Sequence, residues 1–232
     1  MKILIVADHK DPLVYSPNIK KRFGEVEIVL GAGDLPLEYY GFIVSSLNRP
    51  LFFVFGNHNL KRYNTFKKGE KSSPFNSEGP DPSAVKNIYN DSFGATYIGD
   101  RVLRLKSKNL LIAGLGGSLR YNKGVNQYSE FQMRIKMLKM APRLIWNKWR
   151  HGRYLDILLT HASPRGIHDK EDPCHLGFKS FLWFMDKYKP RYLLHGHIHL
   201  YSLNDKRVTL YNETTVINTY DHYLLDYEEN DG

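Results

Sequence analysis

Side chains that commonly bind metal ions follow several short apolar runs of this sequence. In chain order they are Asp8, Asp34, Asn57, His58, His161, His197 and His199. They offer oxygen and nitrogen donors and no thiolate, which disfavours a structural zinc site and favours manganese, iron, zinc or nickel in an open catalytic site. A carboxylate such as Asp34 can bridge two ions, and two ions about 3.5–4 Å apart can activate hydroxide for attack on phosphorus.

The apolar runs before these side chains are predicted to be strands buried on both faces, because they are short, rich in Ile, Val and Leu, and lack alternation. On such a strand His197 and His199 share one side by the period of two. Helical patterns lie between the runs, at Leu37–Leu47 and at Phe178–Tyr188. Alternating strands and helices indicate an α/β sheet protein, in which ligands bind beyond the carboxyl ends of the strands.

Two helices are predicted in the middle of the chain. A capping box at residues 129–132 opens the first, which carries Phe131, Ile135 and Leu138 on one face. Pro142 interrupts this pattern and starts the second helix.

The period of the second helix, which runs through Trp149, places Ile145 and Trp149 on the core face.

Residues 208–227 lack a helical period and are predicted to form two or three antiparallel strands. Residues 67–83 are predicted to form a polar loop rich in Gly, Pro and Ser. No repeat or clear linker interrupts the sequence, so residues 1–232 are predicted to form a single domain.

Composition excludes several classes of protein. The 232 residues are 42% hydrophobic and 25% charged, which is typical of a globular protein. The longest apolar runs are far shorter than the ~20 residues that span a bilayer, and the opening MKILIVAD lacks the layout of a signal peptide. Cys174 is the only cysteine. No internal disulfide can therefore form, and a cytoplasmic location is expected.

Positive charge is concentrated in the middle of the chain. The formal net charge is +9, and residues 101–153 contain thirteen Lys or Arg residues and a single acid, Glu130. This distribution favours an anionic ligand, either a phosphorylated small molecule or nucleic acid. A solvated basic face without a ligand accounts for it equally well.

The order and spacing of the motifs resemble the calcineurin-like metallophosphoesterase superfamily, whose signature is D-x-H, GD-x-x-D, GNH-[DE], a later strand-ending His, and GH-x-H. The corresponding segments here are Asp8–Lys10, Gly33–Leu37, Gly56–Asn59, Thr160–His161 and Gly196–His199. The resemblance implies a two-sheet β-sandwich flanked by helices, in four layers α/β/β/α. It also implies two divalent metal ions and hydrolysis of a phosphate monoester or diester by a metal-bound hydroxide.

The resemblance also assigns roles to individual residues. It implies a first metal bound by Asp8, Asp34 and His199. It implies a second metal bound by Asp34, Asn57, His161 and His197. His58 would protonate or polarise the leaving oxygen, which suits an imidazole that donates near neutral pH. His195 lies outside the motif and is expected to pack or hydrogen-bond behind the site.

Three positions depart from the signature of the superfamily. Lys10 stands where a first-site histidine belongs, Leu37 replaces the second acid of GD-x-x-D, and Asn59 replaces the acid that would orient His58. Asp11 could supply the missing ligand, or Lys10 could neutralise the carboxylates at a weak or empty first site. The stretch DHKDPLVYS resembles a less studied branch with D-x-x-D, which favours Asp11 or a modified first site over an inactive protein.

Two loops are predicted to contact the substrate. Residues 114–124, GLGGSLRYNKG, resemble a glycine loop beside the active site of that branch, where backbone amides could hold an anion and Arg120 could bind phosphate. A tight turn with an exposed arginine is the alternative. Residues 163–178 follow a predicted ligand and offer His168, Asp169 and His175 as contacts, although they could also form an ordinary polar loop. Lys10 is a further candidate contact.

Three functions are compatible with the sequence. The first is a metal-dependent phosphatase or phosphodiesterase. The second is a nuclease or nucleic-acid-binding protein, suggested by aromatic residues among the basic ones, although no nucleic-acid-binding motif is present and the core-face position of Trp149 opposes it. The third is a catalytically impaired scaffold of the same fold. The sequence does not discriminate among possible substrates or oligomeric states.

Overall fold

Two β-sheets packed face to face form the centre of the computed structural model, which describes residues 1–61, 63–68, 93–202 and 204–228. The first sheet contains β1 (Lys2–Ala7), β2 (Ile28–Gly31), β3 (Leu51–Phe53), β4 (Thr96–Tyr97) and β13 (Asp221–Asp226). Its strand order is β13-β1-β2-β3-β4, with β13 antiparallel to β1 and the other neighbours parallel.

The second sheet has six strands in the order β11-β12-β10-β9-β6-β5. These strands are β5 (Val102–Leu105), β6 (Leu110–Leu115), β9 (Ile157–Thr160), β10 (Tyr192–His195), β11 (Val208–Tyr211) and β12 (Thr214–Asn218). The strands β6, β9, β10 and β12 are mutually parallel, whereas the two edge strands are antiparallel to their neighbours. A separate pair is formed by β7 (Ser118–Leu119) and β8 (Gln127–Tyr128).

Helices cover the outer face of each sheet. They are α1 (Ile19–Phe23), α2 (Leu37–Leu47), α3 (Tyr63–Lys68), α4 (Glu130–His151) and α5 (Lys179–Tyr188). The first three pack on the first sheet, and the last two pack on the second.

Successive side chains of the central strands point alternately to the other sheet and to the helices, which creates two apolar layers on each sheet. In β1, Ile3 and Ile5 face the second sheet, whereas Leu4 and Val6 face the helices. All four side chains are fully buried, as expected for a strand covered on both faces. The predicted four-layer α/β/β/α architecture is therefore confirmed, as are the predicted helix at Leu37–Leu47 and the predicted strands.

The prediction of two helices separated by Pro142 is wrong, because α4 is continuous from Glu130 to His151. The predicted capping box is present, with Ser129 accepting from the Gln132 amide. Pro142 lies on the exposed side of the helix, so the carbonyl that loses its helical hydrogen bond can be solvated by water.

The predicted core face of α4 is also wrong. Ile145 is 59% exposed and Trp149 is 74% exposed, and the buried face is formed instead by Met133, Met137, Met140 and Leu144. The helix carries two apolar stripes on opposite sides, both with helical spacing. Periodicity alone therefore could not decide which stripe faces the sheet.

The C-terminal segment forms three strands, but they do not form one antiparallel unit. Strands β11 and β12 form a hairpin on the second sheet, while β13 crosses to the first sheet and pairs with β1. Asp221, with φ of 63°, begins β13 at this crossing.

Most of the predicted loop at residues 67–83 lies outside the described residues. Across the described ranges, no helix is both long and apolar enough to span a membrane.

The assignment of the core face of α4 can be tested with two neighbouring residues. Met137→Ala is expected to lower the free energy of unfolding by about 2–5 kcal/mol, because it removes a fully buried side chain. Leu138→Ala, at a half-exposed position, is expected to change it by less than about 0.5 kcal/mol. Urea denaturation of both variants measures the difference, and a larger loss in Leu138→Ala would reverse the assignment.

Candidate metal centre

Sharp backbone turns follow the strands that carry the predicted ligands. Asp8, Asp34 and His197 all adopt left-handed conformations, with φ of 65°, 57° and 68°. Non-glycine residues rarely adopt this conformation, and it concentrates at functional sites. The prediction that His197 and His199 share a side of a strand is wrong, because β10 ends at His195 and both residues lie in the turn beyond it.

His161 lies at the centre of the site and is fully buried. Its Nδ1 lies 2.9 Å from the carbonyl oxygen of Ala32 and donates its hydrogen there, so in the neutral ring Nε2 is left with a lone pair. That Nε2 lies 3.0 Å from Asn57 Oδ1 and 3.3 Å from Asp34 Oδ2. Three electron-rich atoms therefore meet in a buried space.

Such a meeting requires a proton or a metal ion between the three atoms. Ligand atoms about 2.1 Å from an ion and at right angles to each other are about 3.0 Å apart, which matches the spacing around His161 Nε2. Burial by itself lowers the pKa of His161, but the charge of Asp34 and its hydrogen bond outweigh burial and raise the pKa to about 9. The donor set therefore fits a divalent cation.

His197 is held beside this group by two hydrogen bonds. Its backbone N–H donates to both carboxylate oxygens of Asp8, at 3.0 and 2.9 Å. Its Nε2 donates to the carbonyl oxygen of Cys174 at 2.7 Å, which leaves Nδ1 as the ligating atom. Burial, followed by the charge of His161, lowers the pKa of His197 to about 3, so the ring is neutral and able to bind a metal.

Asp34, His161 and His197 offer ligand atoms that all lie within 4.8 Å of one another. In the described part of the chain, no comparable group of three includes Asp8 or His199. His199 Nδ1 lies 2.9 Å from the Tyr201 hydroxyl. The residues predicted for the second metal are thus brought together more closely than those predicted for the first.

Glycine is required where the two halves of the site meet. A Cβ on Gly56 would lie 2.0 Å from Asp34 Oδ1 and 2.5 Å from His161 Cε1. Any side chain at this position would therefore displace two predicted ligands. The Gly in the GNH motif is explained by this close approach.

The residues around the missing first-site histidine point away from the ligand group. Lys10 is exposed, with Nζ 5.5 Å from the centre of the Tyr15 ring, and His9 Nδ1 contacts Asp221 Oδ1 at 2.8 Å. Asp11 is 7% exposed, and its carboxylate contacts His222 Nδ1 and accepts the Leu13 N–H. To bind a metal, Asp11 would have to leave both partners.

His58 is exposed at the rim of the site, and its backbone N–H donates to Asp34 Oδ1 at 2.7 Å. Asn59, which replaces the orienting acid, donates instead to the carbonyl oxygen of Asp34 at 2.7 Å. Asn59 therefore stabilises the turn at Asp34 rather than the imidazole of His58.

The glycine loop contributes a residue that the sequence analysis missed. Asn57 Nδ2 donates to the Tyr121 hydroxyl at 3.2 Å, which orients Asn57 Oδ1 toward His161. Arg120, the predicted phosphate contact, donates to Gln132 Oε1 at 2.8 Å. Tyr121 follows Arg120 in the predicted substrate loop, and this position was the one indication in the sequence that it lies near the site. Its partner Asn57 is 64 positions away, so the contact itself could not be predicted.

His168, another predicted substrate contact, is bound within the protein through both ring nitrogens. Its Nδ1 lies 3.0 Å from His195 Nε2, and its Nε2 lies 2.9 Å from Thr209 Oγ1. Burial lowers the pKa of His195 to about 3 and that of His168 to about 4, so both rings are neutral. His195 lies fully buried in this network, as expected for a residue outside the motif.

A cavity of about 310 Å³ opens beside His199. Lys170 and Lys206 line it together with Asp169 and Asp205. Each carboxylate has internal partners, since Asp169 pairs with Arg165 at 2.8 Å and Asp205 accepts two backbone N–H groups. Asp169 is thus neutralised by Arg165 while Asp205 keeps its charge, so the two lysines leave the lining with a small excess of positive charge.

A second group of potential ligands includes His175, which the sequence suggested only as a substrate contact. Asp172 Oδ1 lies 2.7 Å from His175 Nδ1 and 2.8 Å from Cys174 Sγ. The His175 ring lies 5.4 Å from that of His197, between ring centroids. These residues are consecutive or nearly so, but only the fold reveals that their loop reaches the site.

Comparison with known proteins agrees with this geometry. The sequence model of the family described as calcineurin-like phosphoesterase matches residues 1–201, so the chain belongs to this family. Members of the family bind divalent metal ions and act on phosphorylated substrates. The resemblance stated from the motifs is thereby confirmed, whereas the assignment to a D-x-x-D branch stays a prediction.

Solved structures show the same fold at low identity. One superimposes with a TM-score of 0.61 and 14% identity, covering 97% of this chain and 94% of that chain. The crystal structure of TT1561 of Thermus thermophilus gives a TM-score of 0.56 and 12% identity, covering 95% of this chain and 89% of that chain. A search of curated proteins gives no match.

The roles of Asp8 and Asp11 can be separated by their metal content. Asp11→Asn is expected to retain its manganese but to lose about 1–3 kcal/mol of stability, because it weakens buried contacts to His222 and Leu13. Asp8→Asn is expected to lose the manganese of the first site and to keep that of the second. Elemental analysis after reconstitution and removal of free ion measures both. Metal loss in Asp11→Asn alone would identify Asp11 as the replacement ligand.

Proposed function

We propose that the protein is a metal-dependent hydrolase of phosphate monoesters or diesters. The observation that carries this proposal is the convergence of His161 Nε2, Asn57 Oδ1 and Asp34 Oδ2 at spacings that suit one cation. Divalent ions bound at such a centre polarise a phosphate oxygen and lower the pKa of water. Manganese, iron, zinc and nickel all suit these nitrogen and oxygen donors.

We assign the residues of the two proposed metal sites as the motifs predict. Asp8, Asp34 and His199 would hold the first ion. Asp34, Asn57, His161 and His197 would hold the second ion. Tyr121 and the carbonyl oxygen of Cys174 would orient Asn57 and His197 within this set. The hydrogen bond between the Asp8 carboxylate and the His197 amide would fix the two sites relative to each other.

His58 is proposed to donate a proton to the leaving oxygen. Its imidazole is exposed at the rim, where a substrate can reach it, and its backbone is fixed to Asp34. The proton would move from the ring to the oxygen that departs from phosphorus, which neutralises the developing charge. A scaffold would have no use for an imidazole so placed beside a complete second-site ligand set.

The proposed roles of ligand and proton donor predict different behaviour in two variants. Asp34→Asn is expected to lose both manganese and turnover, since Asp34 serves both sites. His58→Ala is expected to retain manganese while turnover falls by about 10²–10⁴-fold, the usual contribution of a general acid. Metal content and hydrolysis of p-nitrophenyl phosphate and its bis-ester are measured on the same preparations.

The matched controls for this pair are Asp226→Asn and His151→Ala, which belong to neither proposed metal site and are the last residues of β13 and α4. Both are expected to behave as the wild type. If Asp34→Asn kept its turnover, the hydrolase proposal would fail. If the wild type bound manganese but hydrolysed neither ester nor any wider panel of phosphate esters, the scaffold function would be supported instead.

The cavity beside His199 suggests the class of substrate. Lys170 and Lys206 line this cavity, and the nearby carboxylates already have protein partners. We therefore propose that the cavity receives a second anionic group of the substrate, such as another phosphate or a carboxylate. The substrate would be a small phosphate ester of a size that a cavity of about 310 Å³ accommodates.

This proposal predicts a selective change in KM. Lys170→Ala and Lys206→Ala are each expected to raise KM for a bisphosphorylated sugar by about fivefold, because an exposed charge contact contributes about 1 kcal/mol. The KM for p-nitrophenyl phosphate, which lacks a second anionic group, is expected to stay the same. Lys187→Ala, which removes a lysine packed over Trp183, is the matched control. Equal effects on both substrates would contradict the assignment.

A further inference from the structure

The outer face of α4 carries large apolar side chains that nothing within the described residues covers. They are Phe131, Ile135, Leu138, Ile145, Trp146 and Trp149, and their side chains are between 37% and 74% exposed. A fully exposed aromatic side chain presents about 150–250 Å², and Phe131, Trp146 and Trp149 are 51–74% exposed. The stripe therefore reaches the size of the largest apolar patch on a typical monomer, roughly 300–600 Å².

These side chains form one straight line along the helix. With exposed Pro142 between them, they recur every three or four positions, which places them on a single face. The line from Phe131 to Trp149 is about 27 Å long at about 1.5 Å per residue. It lies opposite the buried stripe of Met133, Met137 and Met140, so the sheet cannot cover it.

Basic side chains border the stripe on both sides. At about 100° per residue, Arg134 and Lys148 fall on one side, whereas Lys139, Arg143 and Arg150 fall on the other. All five residues are exposed or half-exposed.

The single acid of the helix does not offset this charge. Glu130 accepts the backbone N–H groups of Lys179 and Ser180, at 2.6 and 3.0 Å, at the start of α5. It is therefore engaged with α5 at the first turn of the helix, and the remaining basic residues of the borders have no acid on α4 near them. The outer face of α4 is consequently apolar along its centre and cationic along both edges.

We propose that α4 docks this protein on an anionic phospholipid surface. A helix lying in the plane of a membrane interface buries its apolar face among the acyl chains and places basic side chains at the level of the phosphates. Tryptophan is favoured at this depth, and Trp146 and Trp149 lie on the stripe with ring centroids 5.0 Å apart. The anionic surface supplies the negative charge that pairs with the five basic residues of the two borders.

Other occupants fit the stripe less well. A second copy of the chain would bring the basic borders of two helices together, at a cost in repulsion. Nucleic acid would match the charge and could stack on the tryptophans, but it offers no apolar phase for Ile135, Leu138 and Ile145. A protein partner would need acidic side chains placed along both basic borders of the stripe as well as an apolar face.

The test is flotation of the full chain with lipid vesicles. Binding is expected to vesicles of phosphatidylcholine mixed equally with phosphatidylglycerol, and to be at least about tenfold weaker to phosphatidylcholine alone. Ile145→Glu is expected to lower binding to the mixed vesicles at least about tenfold, because it puts a charge in the apolar line. Leu210→Glu, which changes a leucine that is 71% exposed on β11, is the matched control and is expected to bind as the wild type.

Several results would overturn the proposal. These are no binding of the wild type to the mixed vesicles, equal binding by Ile145→Glu, and equal loss in Leu210→Glu. A dimer that Ile145→Glu dissociates, without vesicle binding, would assign the stripe to a second copy. Binding to an oligonucleotide without vesicle binding would assign it to nucleic acid.

The outcome does not depend on the proposed hydrolase function, because the stripe contains none of the proposed metal ligands. Turnover of p-nitrophenyl phosphate by Ile145→Glu is expected to equal that of the wild type. The fluorescence of the tryptophans is expected to shift to shorter wavelength when mixed vesicles are added, and Ile145→Glu is expected to lose most of this shift.

Discussion

The arrangement of the molecule depends on one electrostatic constraint: three electron-rich atoms meet in a buried space. His161 Nε2, Asn57 Oδ1 and Asp34 Oδ2 repel one another unless a cation lies between them. Asp34 and Asn57 follow strands of the first sheet, whereas His161 follows β9 of the second. The apolar layer between the sheets therefore does more than stabilise the fold, because its packing sets the distance between the two halves of the site.

The local backbone conformation also helps to bring the ligand atoms together. Left-handed turns at Asp8, Asp34 and His197 direct their groups toward one point, and Gly56 leaves the space in which Asp34 and His161 approach. Each of these conformations costs free energy relative to a regular strand end. The hydrogen bonds from the His58 and His197 amides to the two carboxylates offset part of that cost.

The sequence predicted the features that depend on local pattern. Strand ends, the helix at Leu37–Leu47 and the capping box at residues 129–132 all follow from short-range periodicity and hydrogen bonding. Prediction from the sequence failed where two helix faces had equally apolar patterns, or where the two residues in contact lie far apart along the chain. Both faces of α4 are apolar, so the choice of face rests on packing, and the contact of Tyr121 with Asn57 arises only from the fold. α4 continues through Pro142 because this part of the helix is exposed to solvent, and the spacing of apolar residues does not predict that exposure.

The pairing of β13 with β1 has a consequence for the order of folding. The register joins Lys2 to Asp226, so β1 gains its second neighbour only after the more than 200 residues between them and β13 itself have been synthesised. Contacts between such distant segments carry a large loop-closure cost and form slowly. The same late step brings Asp221 to His9 and His222 to Asp11. During synthesis, the segment after Asp8 therefore cannot form its contacts with Asp221 and His222 until β13 has been made.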